Sequence, residues 1–503
     1  MGGALSIADG LRTATLKGAW NGYANALGFK APLVCVLPGI LMLFGGNHTW
    51  PFAAALVSTF TALGLAAYSL FRWCLRPSQA AAASVLMLAT PLVTGLTHRF
   101  YVELLLLLLA VLTLNVLAGG AWSGLGRSVL LGFLVGLGTL CKTTFVPLLA
   151  LLLAYSIVRE VLRIGPRNLG QLGMLLLRVA AAATAAIATA GPWYWRNYAA
   201  VAHHAQIASG TDCCFYSNWL IANLSAGPSL WVAFAALAGA GILVVRLVRG
   251  TETLSSAQHW IWIMLLAVST LAATAATPNK CTRFSATWLP AFCALAAYAF
   301  SAIRPVAPVV VAAVAILMPV HNSFALLPVQ PVRFGDWILL DSSFPLNVPG
   351  WFDDNHPVDR RHFPLADAEA AVAADAVGRF TAGERAEART TELGLFINHD
   401  YFMFLTAVRR HPVRFTWWPG TCADCPGAPD YIVTCRGCGS LYPGTHFFEH
   451  FPTIEEDLVS GRIPYELLRS FDGPAGSRVL VLAKKQRRPR QAAFNGSRPS
   501  PGG

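Results

Sequence analysis

From residue 52 to residue 321 the chain alternates long apolar runs with short polar breaks. A helix that crosses a hydrocarbon core needs about 20 mostly apolar residues. This pattern predicts ten spans, at about 52–72, 79–95, 101–118, 127–141, 144–161, 172–192, 229–247, 258–276, 285–303 and 305–321. Residues 31–46 make a shorter apolar run, broken by Pro32, Pro38 and Gly39, that either spans or lies as an interfacial helix on the outer face. After Leu327 the long apolar runs stop and Pro, Asp, His and Arg take over. There the pattern predicts helices over 367–380 and 400–410, and strands over 391–397, 413–418, 430–434 and 478–483. Strands alternating with helices predict a small α/β domain. The expected division is an outer-face segment with a juxtamembrane helix (1–51), a transmembrane domain (52–321), an extracytoplasmic α/β domain (322–486) and a disordered basic tail (487–503).

Composition agrees with a polytopic α-helical membrane protein of about ten spans carrying a soluble C-terminal domain. Of the 503 residues 55% are apolar and only 12% charged, about half the usual charge of a soluble protein. A disordered chain, a nucleic-acid binder built on basic tracts and an ordinary cytosolic enzyme are excluded, and no nucleic-acid partner is expected. The net charge of +12 divides unevenly. Residues 1–330 hold 18 Lys and Arg against five acids, whereas residues 331–503 hold 19 against 20.

Loop charge orients the spans. One set of loops carries Arg72, Arg76, Arg127, Arg159, Arg163, Arg167, Arg178, Arg246, Arg249 and Arg304; the other carries only Arg99, Lys142, Arg196, Lys280 and Arg283. Ten cations against five place the first set in the cytoplasm. The C-terminal domain then falls outside, in a multi-pass protein of the cell (inner) membrane. The five outer cations sit close to span ends. Each taken singly could snorkel to headgroups. As a set they are expected to form a convergent anion site, because Lys and Arg are the usual partners of phosphate oxygens. Glu103, one of the five acids, is the natural counter-ion or base.

These outer segments carry a resemblance. Phe29-Lys30-Ala31-Pro32-Leu33, followed by Leu43-Phe44-Gly45, resembles the Lys-Pro-Pro-Leu signature of GT-C glycosyltransferases. The nearest group is family 39 and its relatives, which include protein O-mannosyltransferases and lipid A aminoarabinose transferases. Arg99-x-Tyr101-x-Glu103 is similar to the family's Arg-x-x-x-Asp loop, with Glu for Asp. Residues 136–145 resemble its Gly-Leu-Gly-x-Leu-Thr-Lys-x-Thr-Phe segment, and Pro192-Trp193-Tyr194 with Asn197 its Pro-Trp-Tyr-x-x-Asn. Asn279-Lys280 through Arg283-Phe284 resembles its Asn-Lys-x-x-Arg-Tyr. The family normally begins with a further helix and an outer loop bearing the catalytic Asp. Here the acid before Lys30 is Asp9. The expectation is therefore an N-terminally shortened enzyme in which Asp9 survives as the catalytic acid, or an inactive relative that binds lipid-linked sugar.

The resemblance implies sugar transfer from a polyprenyl-phosphate donor to a lipid, glycan or protein acceptor on the extracytoplasmic face, with inversion at the anomeric carbon. It gives Asp9 and Glu103 the catalytic roles, and Lys30, Arg99, Lys142, Arg196, Lys280 and Arg283 the donor. Membrane lipid is the other expected partner. A divalent cation at the active site is a candidate cofactor.

Outside these motifs, Cys422-x2-Cys425-x9-Cys435-x2-Cys438 has the knuckles of a four-thiolate structural zinc site. An outer location instead favours disulfides, so both readings stand. His203 and His204 lie on a long outer loop, as loop candidates for touching an acceptor or a metal.

Overall fold

The computed structural model describes residues 2–27, 31–46, 50–98, 102–210, 220, 223–224, 227–251, 254–276, 282–301, 332–334, 337–340, 365–379, 386–390, 402, 406, 411–417, 429–436, 465–472 and 478–485. The chain divides into two compact units, Met1–Val358 and Asp359–Gly503.

The first unit opens with three short helices, α1 (Gly2–Arg12), α2 (Leu16–Ala24) and α3 (Leu33–Gly45). After α1 the chain reverses at Ala14, whose φ of 53° lies in the left-handed region. Thr15 Oγ1 then accepts the Gly18 N–H at 3.0 Å and caps α2. A Cβ at Gly22 would stand 3.0 Å from the Gly10 Cα, so the backbones of α1 and α2 touch. Ser6 Oγ donates to the Gly22 carbonyl at 3.1 Å across the same approach.

The helical body comprises α4 (Trp50–Phe71), α5 (Pro77–Ala89), α6 (Pro91–His98), α7 (Val102–Ala118), α8 (Leu125–Cys141), α9 (Phe145–Ile164) and α10 (Leu169–Gly210). It continues with α11 (Leu230–Val248), α12 (Leu254–Ala276), a 3-10 helix (Thr282–Trp288) and α13 (Leu289–Ser301). Nine of the ten expected spans fall on these helices; 305–321 lies outside the described residues. By length and apolarity, six helices among the described residues can cross a membrane, or seven if α5 and α6, bent by 58°, count as one. The bend sits at Pro91, which has no N–H to continue the ladder. α7 and α8, at 17 residues each, are shorter apolar helices.

Small residues set the closest helix approach. Gly132-x3-Gly136 on α8 faces Ala182, Ala186 and Thr189 of α10, and a Cβ at Gly132 would stand 2.0 Å from the Ala182 carbonyl oxygen. Such small-x3-small faces let backbones meet where lipid removes any hydrophobic drive between helices. Leu63, Leu70, Met87, Leu107, Leu149 and Leu266 are buried in the continuous core that results.

The two ends of this body differ chemically, as the two loop sets anticipate. At one end Trp122 Nε1 donates to Ser156 Oγ at 3.1 Å, and Arg178 donates to the Trp122 carbonyl. Arg159 reaches Gln258 Oε1 at 3.3 Å, and Trp73 stacks on His259. These belong to the Arg-rich loop set. The opposite ends of α7 and α8 hold Glu103 and Lys142.

In the first unit the short strands β1 (Val332–Phe334) and β2 (Trp337–Leu340) also pair antiparallel. Among its described residues the second unit holds a fifteen-residue helix and a five-stranded sheet, in agreement with the α/β expectation. The helix α14 (Leu365–Arg379) precedes β3 (Ala386–Thr390), β4 (Val413–Trp417), β5 (Tyr431–Arg436), β6 (Tyr465–Asp472) and β7 (Arg478–Lys484), in spatial order β4-β3-β5-β7-β6. β3 runs parallel to β4 and β5, while β7 is antiparallel to β5 and β6. Tyr431 Oη donates to Asp375 Oδ2 at 2.8 Å, and Arg379 donates to the Lys484 carbonyl at 3.1 Å, so two polar ties fix α14 to the sheet. The expected strand 391–397 lies outside the described residues, as do most of 400–410.

Candidate active site

The site assembles where α7 begins and α8 ends. Glu103 is in the first turn of α7, where the helix dipole favours an anion. Lys142 follows the last residue of α8, where the dipole favours a cation; its N–H bonds the Gly138 carbonyl at 2.9 Å. Only 119–124 connects the two helices, so they run antiparallel and both charges arrive at the same end. Gly138 leaves room for the chain to turn back there, since a Cβ would stand 2.1 Å from the Phe145 ring. Cys141 Sγ, 3.3 Å from the Val102 carbonyl, also ties the two ends together.

Lys142 Nζ donates to Glu103 Oε1 at 2.9 Å. Arg283, on the 3-10 helix before α13, brings its Nε to 3.7 Å from the same oxygen. The Glu103 side chain is 3% exposed, and Oε2 has no hydrogen-bond partner among the described residues. A carboxylate this buried persists only when paired. Among the described residues two cations converge on one oxygen, and the other has no hydrogen-bond partner. Phe284, which the charge-based reading of the sequence passes over, lies beneath both cations. Lys142 Nζ is 3.7 Å from its ring centroid and Arg283 Cζ 5.3 Å. Its adjacency to Arg283 and its aromatic face were the available signal.

The remaining expected residues separate. Arg196, on α10, donates to Asn21 Oδ1 at 3.1 Å and Asn25 Oδ1 at 3.3 Å, tying α10 to α2 and the chain just beyond it. Asp9, on α1, pairs with Arg12 at 2.7 Å and is 61% exposed. Its helix joins the Lys142 end indirectly. α1 meets α2 at Gly10 and Gly22, and Ala24 shares an apolar cluster with Leu140, Ala190 and Trp193. Tyr194 Oη donates to the Thr139 carbonyl at 2.7 Å beside it. Lys30, Arg99 and Lys280 lie outside the described residues. So do Cys422, Cys425 and Cys438; Cys435 is placed on β5 by its backbone, and its side chain is outside the description. His203 is on α10 and exposed; the His204 side chain is not described.

Among the described residues no group of three or more His, Cys, Asp or Glu stands close enough to hold a metal ion. Glu103 already faces two cations, whose charge opposes a further divalent ion. The described residues therefore do not fit the expected divalent cation, and no step is routed through one.

No protein-family model matches the chain, and no curated protein matches it. Solved structures do. ArnT from Cupriavidus metallidurans, solved bound to undecaprenyl phosphate, aligns with a TM-score of 0.54 at 13% identity, over 96% of this chain and 93% of that one. The same protein in the apo state gives 0.55 at 13% identity, over 96% and 92%. At this identity the likeness is one of fold, and it extends through both units. The chain thus carries the fold of ArnT.

Proposed function

We propose that this protein is a membrane glycosyltransferase that moves a sugar from a polyprenyl-phosphate donor to a lipid, glycan or protein acceptor at the extracytoplasmic face. The observation that carries the proposal is the convergence of Lys142 and Arg283 on one oxygen of buried Glu103. Two cations gathered at a helix-end depth of a membrane body can receive a lipid-borne phosphate. The ArnT fold, seen with undecaprenyl phosphate bound, supports the same class of donor.

In this reading Lys142 and Arg283 offset the charge that builds on the phosphate as the bond from the anomeric carbon to the phosphate oxygen breaks. The polyprenyl phosphate leaves with that electron pair. The acceptor oxygen attacks from the opposite face, so configuration inverts, and a carboxylate takes the acceptor proton. Asp9 is the general base, being the less encumbered carboxylate, and Glu103 is the counter-ion that positions both cations. Lys30, Arg99 and Lys280 complete the donor site and Arg196 braces its N-terminal wall. The protein crosses the inner membrane about ten times, with 322–486 outside; Cys422, Cys425, Cys435 and Cys438 brace that domain through zinc or disulfides.

The test is release of polyprenyl phosphate from a panel of radiolabelled polyprenyl-phosphate sugars by membranes holding the full chain. Release with the wild type, and at least a hundredfold less with Lys142→Met, supports the proposal. Equal release by both rejects it.

A further inference from the structure

Phe284 stands in the middle of the charge cluster without carrying charge. Its ring centroid is 3.7 Å from Lys142 Nζ and 5.3 Å from Arg283 Cζ, both inside the range at which a ring quadrupole attracts a cation. Lys142 is therefore held on two sides, by the ring and by Glu103 Oε1 at 2.9 Å. The restraints differ in kind. Glu103 uses one of the three N–H donors of the ammonium, and an arriving phosphate, taking the others, pulls the ammonium away from it. A ring face takes no lone-pair bond, so it keeps the ammonium in place during that exchange. The ring neighbours Arg283 in sequence, and the following Ser285, Ala286 and Trp288 are buried, which fixes the 3-10 turn that presents it.

We propose that Phe284 is a positioning residue: its face holds Lys142 and Arg283 at the spacing that receives the phosphate of a lipid-linked donor. The inference rests on the glycosyltransferase reading for the identity of the anion, and on the ring geometry alone for the positioning. It also separates Phe284 from its buried neighbours, which act through packing. A packing residue answers to volume, whereas this one answers to the electron density of its face.

Fluorinated phenylalanines at position 284 in the full-length protein test the difference, because each added fluorine drains the ring face at nearly constant volume. The first readout is the affinity for undecaprenyl phosphate in detergent micelles. Affinity should fall stepwise through the mono-, di- and trifluoro residues, to about tenfold in total, as expected for the loss of a partly desolvated cation–π contact. Phe284→Tyr and Phe284→Trp should stay within about threefold of wild type, and Phe284→Leu should match or exceed the trifluoro loss. A flat fluorine series with a weakened Phe284→Leu overturns the proposal in favour of simple packing, and unchanged affinity throughout overturns it outright.

The second readout is a double-mutant cycle in thermal unfolding between Phe284→Leu and Lys142→Met. Non-additive Tm losses are expected, and additive losses overturn the positioning contact whether or not lipid binds. If the wild type binds no undecaprenyl phosphate, the phosphate role falls with the glycosyltransferase reading, and the cycle still decides the contact.

Discussion

Lys142 Nζ lies 2.9 Å from Glu103 Oε1, and this ion pair joins the end of α8 to the start of α7 across 39 residues of sequence. The carboxylate is buried, so the pair is held at the expense of desolvation and is sensitive to losing one member. Removing Lys142 leaves Arg283, at 3.7 Å, as the remaining ionic partner of Glu103 among the described residues. We expect Lys142→Met to destabilise the protein by about 3–5 kcal/mol. Glu103→Gln added to it should recover much of that loss, because the buried charge is then gone. Thermal unfolding of the single and double variants in one detergent checks this; equal stability of the two would contradict it.

The Gly132–Ala182 approach sets the position of α8, and so of Lys142. A Cβ placed 2.0 Å from a backbone oxygen cannot be relieved by turning a side chain. Gly132→Ala should force α8 and α10 apart at a cost of about 1–3 kcal/mol. Gly126→Ala, where a Cβ meets nothing within 4 Å, should be neutral or slightly stabilising. Unfolding midpoints of the two variants should diverge, and sugar-transfer activity should fall only in the first.

Asp9 separates stability from chemistry. Its pair with Arg12 is exposed and of the kind worth at most about 1 kcal/mol. As general base, however, its loss should slow transfer by about 10²–10⁴. Asp9→Asn is therefore expected to keep its Tm and lose its activity. Full activity in that variant would remove Asp9 from the chemistry.

In the second unit, burial pushes the Tyr431 phenol up, reinforced by the hydrogen bond to Asp375 and opposed by Arg379. An unfolded tyrosine ionises near pH 10, about where the folded one still keeps its proton. The stabilisation is thus full below about pH 10 and is lost as pH rises beyond it. Tyr431→Phe should cost about 1 kcal/mol at pH 8 through the lost hydrogen bond. Calorimetry of the full chain should show the gap to wild type narrowing between about pH 10 and pH 11; a constant gap would contradict the assignment.

Much of this architecture was legible in the apolar pattern, because spans need uninterrupted apolar length and Arg-rich loops mark one side. Convergence of Glu103, Lys142 and Arg283 was legible as three charges at span ends, though not their sharing of a single oxygen. What the pattern hid has physical causes. β3 buries Ala386 and Ala388, small residues that carry little strand signal. β6 has a register shift between Leu467 and Arg469, which breaks the period of two. Charge at a span end does not specify the partners of Arg196, because Asn21 and Asn25 are about 170 residues earlier. Asp9 stands in the sequence only as an acid before Lys30; the structure sets it on a helix whose other face buries Ala4, Ile7 and Ala8.

The most direct measurement is transfer itself. Membranes containing the full chain, supplied with radiolabelled polyprenyl-phosphate sugars, should release polyprenyl phosphate and label an acceptor. Glu103→Gln and Arg283→Met should each lose about 10²-fold or more of that activity. Release that is absent in the wild type, or undiminished in both variants, would contradict the assignment of this charge cluster to a lipid-phosphate donor.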